Sequence, residues 1–379
     1  MNILINGLGI QDSGGITVLA KLLDEIKYST KDKFFVICNF NQKIKSLSEK
    51  YNNVEIIEFI YVYKNNFLYR LYFENIIFKK LIKNKSIDLV YNFTGTSQFF
   101  LKIPQITKIH NLLFYSKKLE KIYFNKKRYI SWFKQVYIKR FILIKMLKYT
   151  NYIEVQSEHV KNSLNDFLDI SKKIFFIKSD IDVDKELFLE PKNYNFQQKI
   201  KFLYVVGPHF EYLHKNFETF LEIILELQKN NLNFEILITL TEEQLNSSNK
   251  WNNNLNIYTK FLGYLSKEEL YKYFDNNTIL VSTSIIETLG LPVIEAIQNG
   301  VIAIVPNEEY SYSVYGNKIL KYNLFDIHTF IEQINNITKI NVRDLIYENQ
   351  MFLIQNEKNK IRNIINIFYE ILKDENVQK

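Results

Sequence analysis

The sequence predicts an α/β protein of two domains, each a parallel sheet covered by helices, and three observations carry that prediction. A chain of 379 residues with 47% hydrophobic content can bury two cores, since domains typically run to about 100–200 residues. Short apolar runs alternate with amphipathic helical patterns, as in a parallel sheet with crossover helices, and this rhythm occurs twice. Eight of the ten glycines (Gly7, Gly9, Gly14, Gly15, Gly95, Gly207, Gly263 and Gly290) fall at or just after the end of an expected strand, the edge where open α/β sheets bind ligands.

The first series opens with a strand at 2–6, a glycine-containing turn and a helix from about Ile16 to Tyr28, where Ile16, Leu19, Leu22, Leu23 and Ile26 share one face. Strands are expected at 34–38, 54–59, 88–93, 105–110 and 152–156. The polar segment 181–199, containing Pro191, separates residues 1–180 from a second series and is read as a linker. That series runs strand 202–206, helix 216–229, strand 234–240, helix 267–274, strand 278–284, helix 292–299, strand 301–305 and a helix from about Phe325, closing a domain at 200–345. Residues 346–379 belong to a long helical pattern, expected to cross back towards the first domain.

With one cysteine, Cys38, the chain cannot form an intrachain disulfide, so a reducing compartment is expected. The N-terminus MNILINGLGI lacks the basic start and small-residue cleavage site of a signal peptide, and no charge-free apolar stretch is long enough to span a bilayer. The expectation is a cytoplasmic protein, with the inner face of the cytoplasmic membrane open to it. A net charge of +8 suits nucleic acid, phosphorylated small molecules or anionic lipid alike.

The strongest local pattern is SIIETLGLPVIEAIQNG, 284–300, a strand running through a short loop into a helix that begins at Pro292, a residue suited to a first helical position. Backbone N–H groups of Thr288, Leu289, Gly290 and Leu291 then lie at a helix N-terminus, where phosphate binds. Glu295 on the first turn leans back towards that end and can accept hydrogen bonds from hydroxyls beside the phosphate, as on a ribose. Glu287, ahead of the loop, can do the same for a sugar. Two carboxylates beside an anion need a cation, and Lys215, followed by Asn216 at the opening of a helix, is the candidate. Taken alone, Glu295 reads as a dipole-favoured acid and Lys215 as a solvated surface charge.

Together these residues resemble the family 4 glycosyltransferases of the GT-B fold, in which two Rossmann-like domains face a central cleft. The match spans Glu287, Gly290, Leu291, Pro292 and Glu295, and continues in SGGITVLAKLL (13–23), KIHN (108–111), EVQSEHVKNSL (154–164) and FLGYLSKEELYKYF (261–274). The resemblance implies retaining transfer of a hexose-type sugar from a nucleoside diphosphate sugar, UDP favoured and GDP the alternative, with no cofactor and no obligatory metal. It implies that Glu295 holds the ribose, Glu287 the donor sugar and the 289–291 amides the diphosphate, while Lys215 offsets charge on the leaving phosphate. Gly263, Tyr264 and Leu265 would lie at the base, Gly14 and Gly15 near the phosphates, and His110 at the sugar or the acceptor hydroxyl. Many family members carry an arginine five positions before the lysine. Here Phe210 stands there, leaving His209 and His214 as nearby cationic candidates, with His209 the expected substitute.

By analogy the acceptor is a glycan or lipid-linked molecule of envelope polysaccharide or lipooligosaccharide synthesis. A sugar-nucleotide epimerase and a non-catalytic scaffold of the same fold are the competing readings. Residues 117–148 carry eleven basic side chains against one acid, Glu120, interleaved with aromatic and aliphatic residues. No nucleic-acid module accompanies them, and none is expected to bind. Ile130, Phe133, Val136, Tyr137, Phe141 and Ile144 could form an apolar stripe flanked by Lys134, Lys139, Arg140 and Lys145, facing either anionic membrane or the protein's own sheet.

Overall fold

The computed structural model describes residues 1–10, 13–39, 44–46, 49, 51–59, 67–169, 171 and 173–377. They form two compact units, one of residues 1–180 with 360–379, the other of 181–359.

The first unit is built on strands β1 (Asn2–Asn6), β2 (Lys33–Asn39), β3 (Val54–Phe59), β4 (Leu89–Asn92), β5 (Gln105–Ile109), β6 (Tyr152–Val155) and β7 (Ile174–Ile177). All pair in parallel in the order β3-β2-β1-β4-β5-β6-β7. Both faces of this sheet are covered, so its strands read as continuous apolar runs. Ile3, Ile5, Phe34, Val36 and Tyr91 pack with the helix Ser13–Ile26 and, from the far end of the chain, Ile364, Phe368 and Ile371. Leu4, Phe35, Ile37 and Val90 pack on the opposite face with Phe73 and Phe78. Cys38 is buried core.

The second unit repeats the plan with β8 (Ile200–Tyr204), β9 (Phe234–Ile238), β10 (Thr259–Phe261), β11 (Thr278–Val281), β12 (Ile302–Pro306) and β13 (Leu320–Tyr322), in the order β10-β9-β8-β11-β12-β13. In each unit the first strand lies beside the fourth, so the winding reverses between β1 and β4 and between β8 and β11. Ligands of open parallel sheets bind at that reversal, outside the carboxyl ends of the strands.

Four sequence expectations change. Gly14 and Gly15 lie in the first turn of the helix Ser13–Ile26, not in a loop preceding it, because the helix starts three residues early; residues 11 and 12 lie outside the described residues. The segment 181–199 runs along the second unit: Ile181 and Val183 are in its core, and the Leu189 and Lys192 amides donate to the Gln298 and Gly300 carbonyls at 2.7 and 2.8 Å. The edge strands β7, β10 and β13 are too short to show a period in the sequence. The C-terminal helical pattern splits into Val342–Lys358, in the second unit, and Ile364–Val377, in the first. The break carries no glycine or proline. It is set by contacts: the Ile361 amide donates to the Ile177 carbonyl, Ser179 N–H to the Ile361 carbonyl, and Lys360 Nζ to the Gln156 carbonyl.

Beside this return lies a buried charge network. Lys108 Nζ contacts Glu154 at 2.6 Å and Asp180 at 2.7 Å, Lys178 contacts Glu25 at 2.9 Å, and the Tyr91 hydroxyl donates to Glu154 at 2.6 Å. The two lysines hold the Asp180 carboxyl down at about 2 against the opposing effect of burial. Among the described residues no helix is long and apolar enough to cross a membrane.

Candidate active site

Strands β8 and β11 flank the reversal of the second sheet, and the loops that leave them bring the sequence candidates together. After β8 the chain runs through Gly207 to a short helical turn, Leu213–Lys215, and Asn216 takes a left-handed conformation (φ 51°) that starts the helix Phe217–Lys229. After β11 it runs from Ser282 to Gly290, the left-handed N-cap of the helix Leu291–Gln298, with Pro292 in its first turn, where no amide hydrogen is needed. Lys215 Nζ and Glu287 Oε1 meet across these loops at 2.7 Å. The loops are also joined by main chain, since the Ile285 amide donates to the His214 carbonyl at 2.8 Å. The Thr283 hydroxyl donates to the Lys215 carbonyl, also at 2.8 Å.

The pair is electrostatically matched. Burial would raise the Glu287 carboxyl, but the Lys215 ammonium and its hydrogen bond outweigh that and hold it below the ordinary carboxylate range. Glu287 therefore stays ionised at neutral pH with a cation against it. Glu295, five residues beyond Gly290, lies in a different balance: burial raises its carboxyl, and Lys267 Nζ stands 3.4 Å away. Lys267 opens the helix Lys267–Tyr271, which is fixed by a reciprocal cap between Ser266 and Glu269. Each acid thus has its own lysine. Lys267 was missed from sequence, although the S-x-x-E cap one residue before it was legible.

Three tyrosines, equally unforeseen, hold the loop after β11 by its carbonyls. Tyr322 donates to the Ser282 carbonyl at 3.0 Å, Tyr310 to the Ser284 carbonyl at 2.7 Å and Tyr315 to the Leu289 carbonyl at 2.9 Å. All three are buried, and burial raises their hydroxyls well above the ordinary value, so they remain donors. With carbonyls drawn inward, the loop is stiff where it enters the helix, whose first amides have no partner within the helix. Gly290 is required twice over: its φ is 60°, and a Cβ there would overlap the Tyr315 hydroxyl.

The remaining candidates are more dispersed. Asn216 Nδ2 donates to Thr219 at 2.7 Å. Gly263 (φ 65°) follows β10, with Tyr264 exposed and Leu265 partly buried against the core. His209 is exposed and stacks on Tyr212 at 4.8 Å. His214 is not a cation: burial, reinforced by the neighbouring Lys215, lowers its imidazole to about 4, so it is neutral at physiological pH. Its candidacy as a replacement for the missing arginine fails on that ground. Thr288 and Leu289 lie within the tyrosine-held loop and Leu291 begins the helix.

In the first unit, His110 directly follows β5, half-buried, 6.4 Å from the Phe93 ring. At that unit's own reversal, Gly9 packs against the Arg70 guanidinium, which binds Glu74 at 2.9 Å, Thr96 at 2.8 Å and the Thr94 hydroxyl. Gly14 and Gly15, in the first turn of the helix Ser13–Ile26, belong to the same unit.

Residues 188–340 match the family model described as glycosyl transferases group 1. No curated protein matches the sequence. Among solved structures, the fold is similar to sucrose-phosphate synthase from Thermosynechococcus elongatus (13% identity, TM-score 0.67, covering 100% of this chain and 98% of that one). It is also similar to Anabaena HepE, solved in complex with UDP and glucose (13%, 0.63, 99% and 99%). A third similarity is to the lipopolysaccharide outer core galactosyltransferase WaaB (15%, 0.59, 95% and 98%). The family match lies within the second unit, and the chain's two Rossmann-like units have the GT-B fold. The chain is a glycosyltransferase.

Proposed function

We propose that the chain is a retaining, family 4 transferase that moves a hexose-type sugar from a UDP-sugar to a glycan or lipid-linked acceptor in envelope polysaccharide or lipooligosaccharide synthesis. The observation that carries the proposal is the 2.7 Å Lys215–Glu287 pair at the sheet reversal, beside the left-handed Gly290 that starts a helix. In this reading the diphosphate lies against the Leu289, Gly290 and Leu291 amides, and Glu287 accepts hydrogen bonds from the sugar hydroxyls. Glu295, with Lys267, holds the ribose, and Gly263, Tyr264 and Leu265 border the base. The bond between the sugar C1 and the phosphate oxygen breaks while C1 joins the acceptor oxygen on the same face. The acceptor hydroxyl proton passes to the leaving phosphate, whose growing charge is offset by Lys215. His110 contacts sugar or acceptor in the first unit, Gly14 and Gly15 approach the phosphates, and His209 supplies a further phosphate contact. The residues named need no metal for these roles.

The UDP preference is supported by the UDP and glucose bound to HepE, and the envelope acceptor by the activity named for WaaB. A thermal-shift screen with UDP, GDP and ADP and their sugars, followed by mass-spectrometric detection of transfer, tests the reading. UDP is expected to stabilise the protein most. Glu287→Gln is expected to retain UDP binding and lose about 100-fold or more in turnover. Absence of any nucleotide response, or undiminished turnover in Glu287→Gln, refutes it.

A further inference from the structure

The helical stretch 129–147 of the first unit is apolar on two faces. Its inward face is accounted for: Val136, Leu143, Met146 and Leu147 are buried. Arg140, expected from sequence among the flanking cations, is buried with them, its guanidinium bound to Glu120 at 2.7 Å and to the Phe114 carbonyl at 2.6 Å. Val136 is likewise absent from the outer stripe. Yet the outward face carries Ile130 (74% exposed), Phe133, Tyr137, Ile138 and Phe141 (57% exposed), spaced three and four apart along the helix. An ordinary surface helix keeps charged and polar residues outward, and one apolar all round is normally enclosed. Packing on the sheet therefore does not explain this face, and contiguous exposed apolar surface marks an interaction site.

Charge selects the occupant. Lys126, Lys127, Arg128, Lys134, Lys145 and Lys148 are exposed on or beside the same face, and residues 121–148 contain no acid. A second copy docking by this face would press lysine against lysine. Nucleic acid would be met by two isoleucines and phenylalanines standing clear of the backbone, where hydrogen-bonding side chains are needed to hold it. An anionic bilayer surface satisfies both components: ring and aliphatic side chains enter the headgroup boundary, while lysine stems lie along it with ammonium groups on the lipid phosphates.

We propose that the outward face of 129–148 is a membrane-docking surface for anionic phospholipid, holding the protein flat on a bilayer without spanning it. The proposal is independent of the nucleotide and sugar used. Its test is flotation of the full chain with phosphatidylcholine vesicles, with and without phosphatidylglycerol, at low and high salt. Binding is expected only with phosphatidylglycerol and is expected to fall steeply with salt. Lys134→Glu with Lys145→Glu should lower the partition coefficient more than about tenfold, given about fivefold per cation, and separately Phe133→Ser with Phe141→Ser should lower it more than about tenfold through lost apolar burial. Both pairs are exposed, so unchanged circular dichroism melting is expected and separates lost docking from lost folding. The proposal is overturned by failure to bind phosphatidylglycerol vesicles at low salt, or by binding that neither variant pair weakens. It is also overturned if the wild type self-associates through this face in place of binding vesicles, or retains single-stranded RNA but not lipid.

Discussion

Gly290→Ala is expected to destabilise the second unit, and Tyr315→Phe is expected to rescue part of that loss although it is itself destabilising. The alanine must adopt φ near 60°, costing about 1 kcal/mol, and its Cβ must share space with the Tyr315 hydroxyl. That ring is fully buried and set edge-on against Tyr310, 6.2 Å between centroids, so it cannot swing clear. Such overpacking costs a further ~1–3 kcal/mol. Tyr315→Phe alone removes the 2.9 Å hydrogen bond to the buried Leu289 carbonyl, about 1–2 kcal/mol. In the double variant the hydroxyl is gone and the next ring atom lies 3.4 Å from the new Cβ. Only the φ cost and the lost hydrogen bond then remain, and the two changes should be non-additive by about 1–3 kcal/mol in the stabilising direction. Trp251, buried in the second unit, reports urea unfolding of that unit in a Trp132→Phe background, which leaves it as the sole tryptophan. Additivity within about 0.5 kcal/mol would show that the tyrosine hydroxyl does not fill the space a side chain at Gly290 needs.

Three further outcomes follow from the charges. Lys215→Met should lower turnover about 10²–10³-fold in steady-state assays, and it should raise the Glu287 carboxyl, which loses the cation that depresses it; a turnover change below about fivefold would contradict the role given to Lys215. His214 should remain a neutral imidazole from pH 8 to pH 5 and titrate at about 4, which NMR can follow; a midpoint near the ordinary histidine value would contradict the desolvation and the Lys215 repulsion that lower it. Asp180→Asn should cost about 2 kcal/mol at neutral pH. Because the folded pKa is depressed, that contribution is complete above about pH 4 and is lost as pH falls towards about 2, so wild-type and variant urea midpoints should converge there. A gap that persists at pH 2 would assign the cost to packing.

Much of the architecture was legible because buried parallel strands write continuous apolar runs. The strands at 2–6 and 54–59 fall where the sequence put them. Lys215, Glu287 and Gly290 were legible too, because a left-handed glycine and a following proline mark a helix start in the sequence itself. The Lys267–Glu295 pair and the tyrosine hydroxyls were not, since a surface lysine and a core tyrosine look the same in a one-dimensional string whether or not they meet a partner.

The sequence by itself determined two βα series and the local turn chemistry of the donor-side loop, both properties of neighbours in the chain. Tertiary structure alone decided what depends on distant neighbours. The C-terminal helical pattern breaks between Lys358 and Ile364 because Ile361 pairs with residues 177 and 179. His214 is neutral because it is half-buried beside Lys215, and Arg140 leaves the basic face because Glu120 and the Phe114 carbonyl draw it inward. Periodicity records which way a side chain should face; only the packed chain fixes what it meets there, and with that its charge.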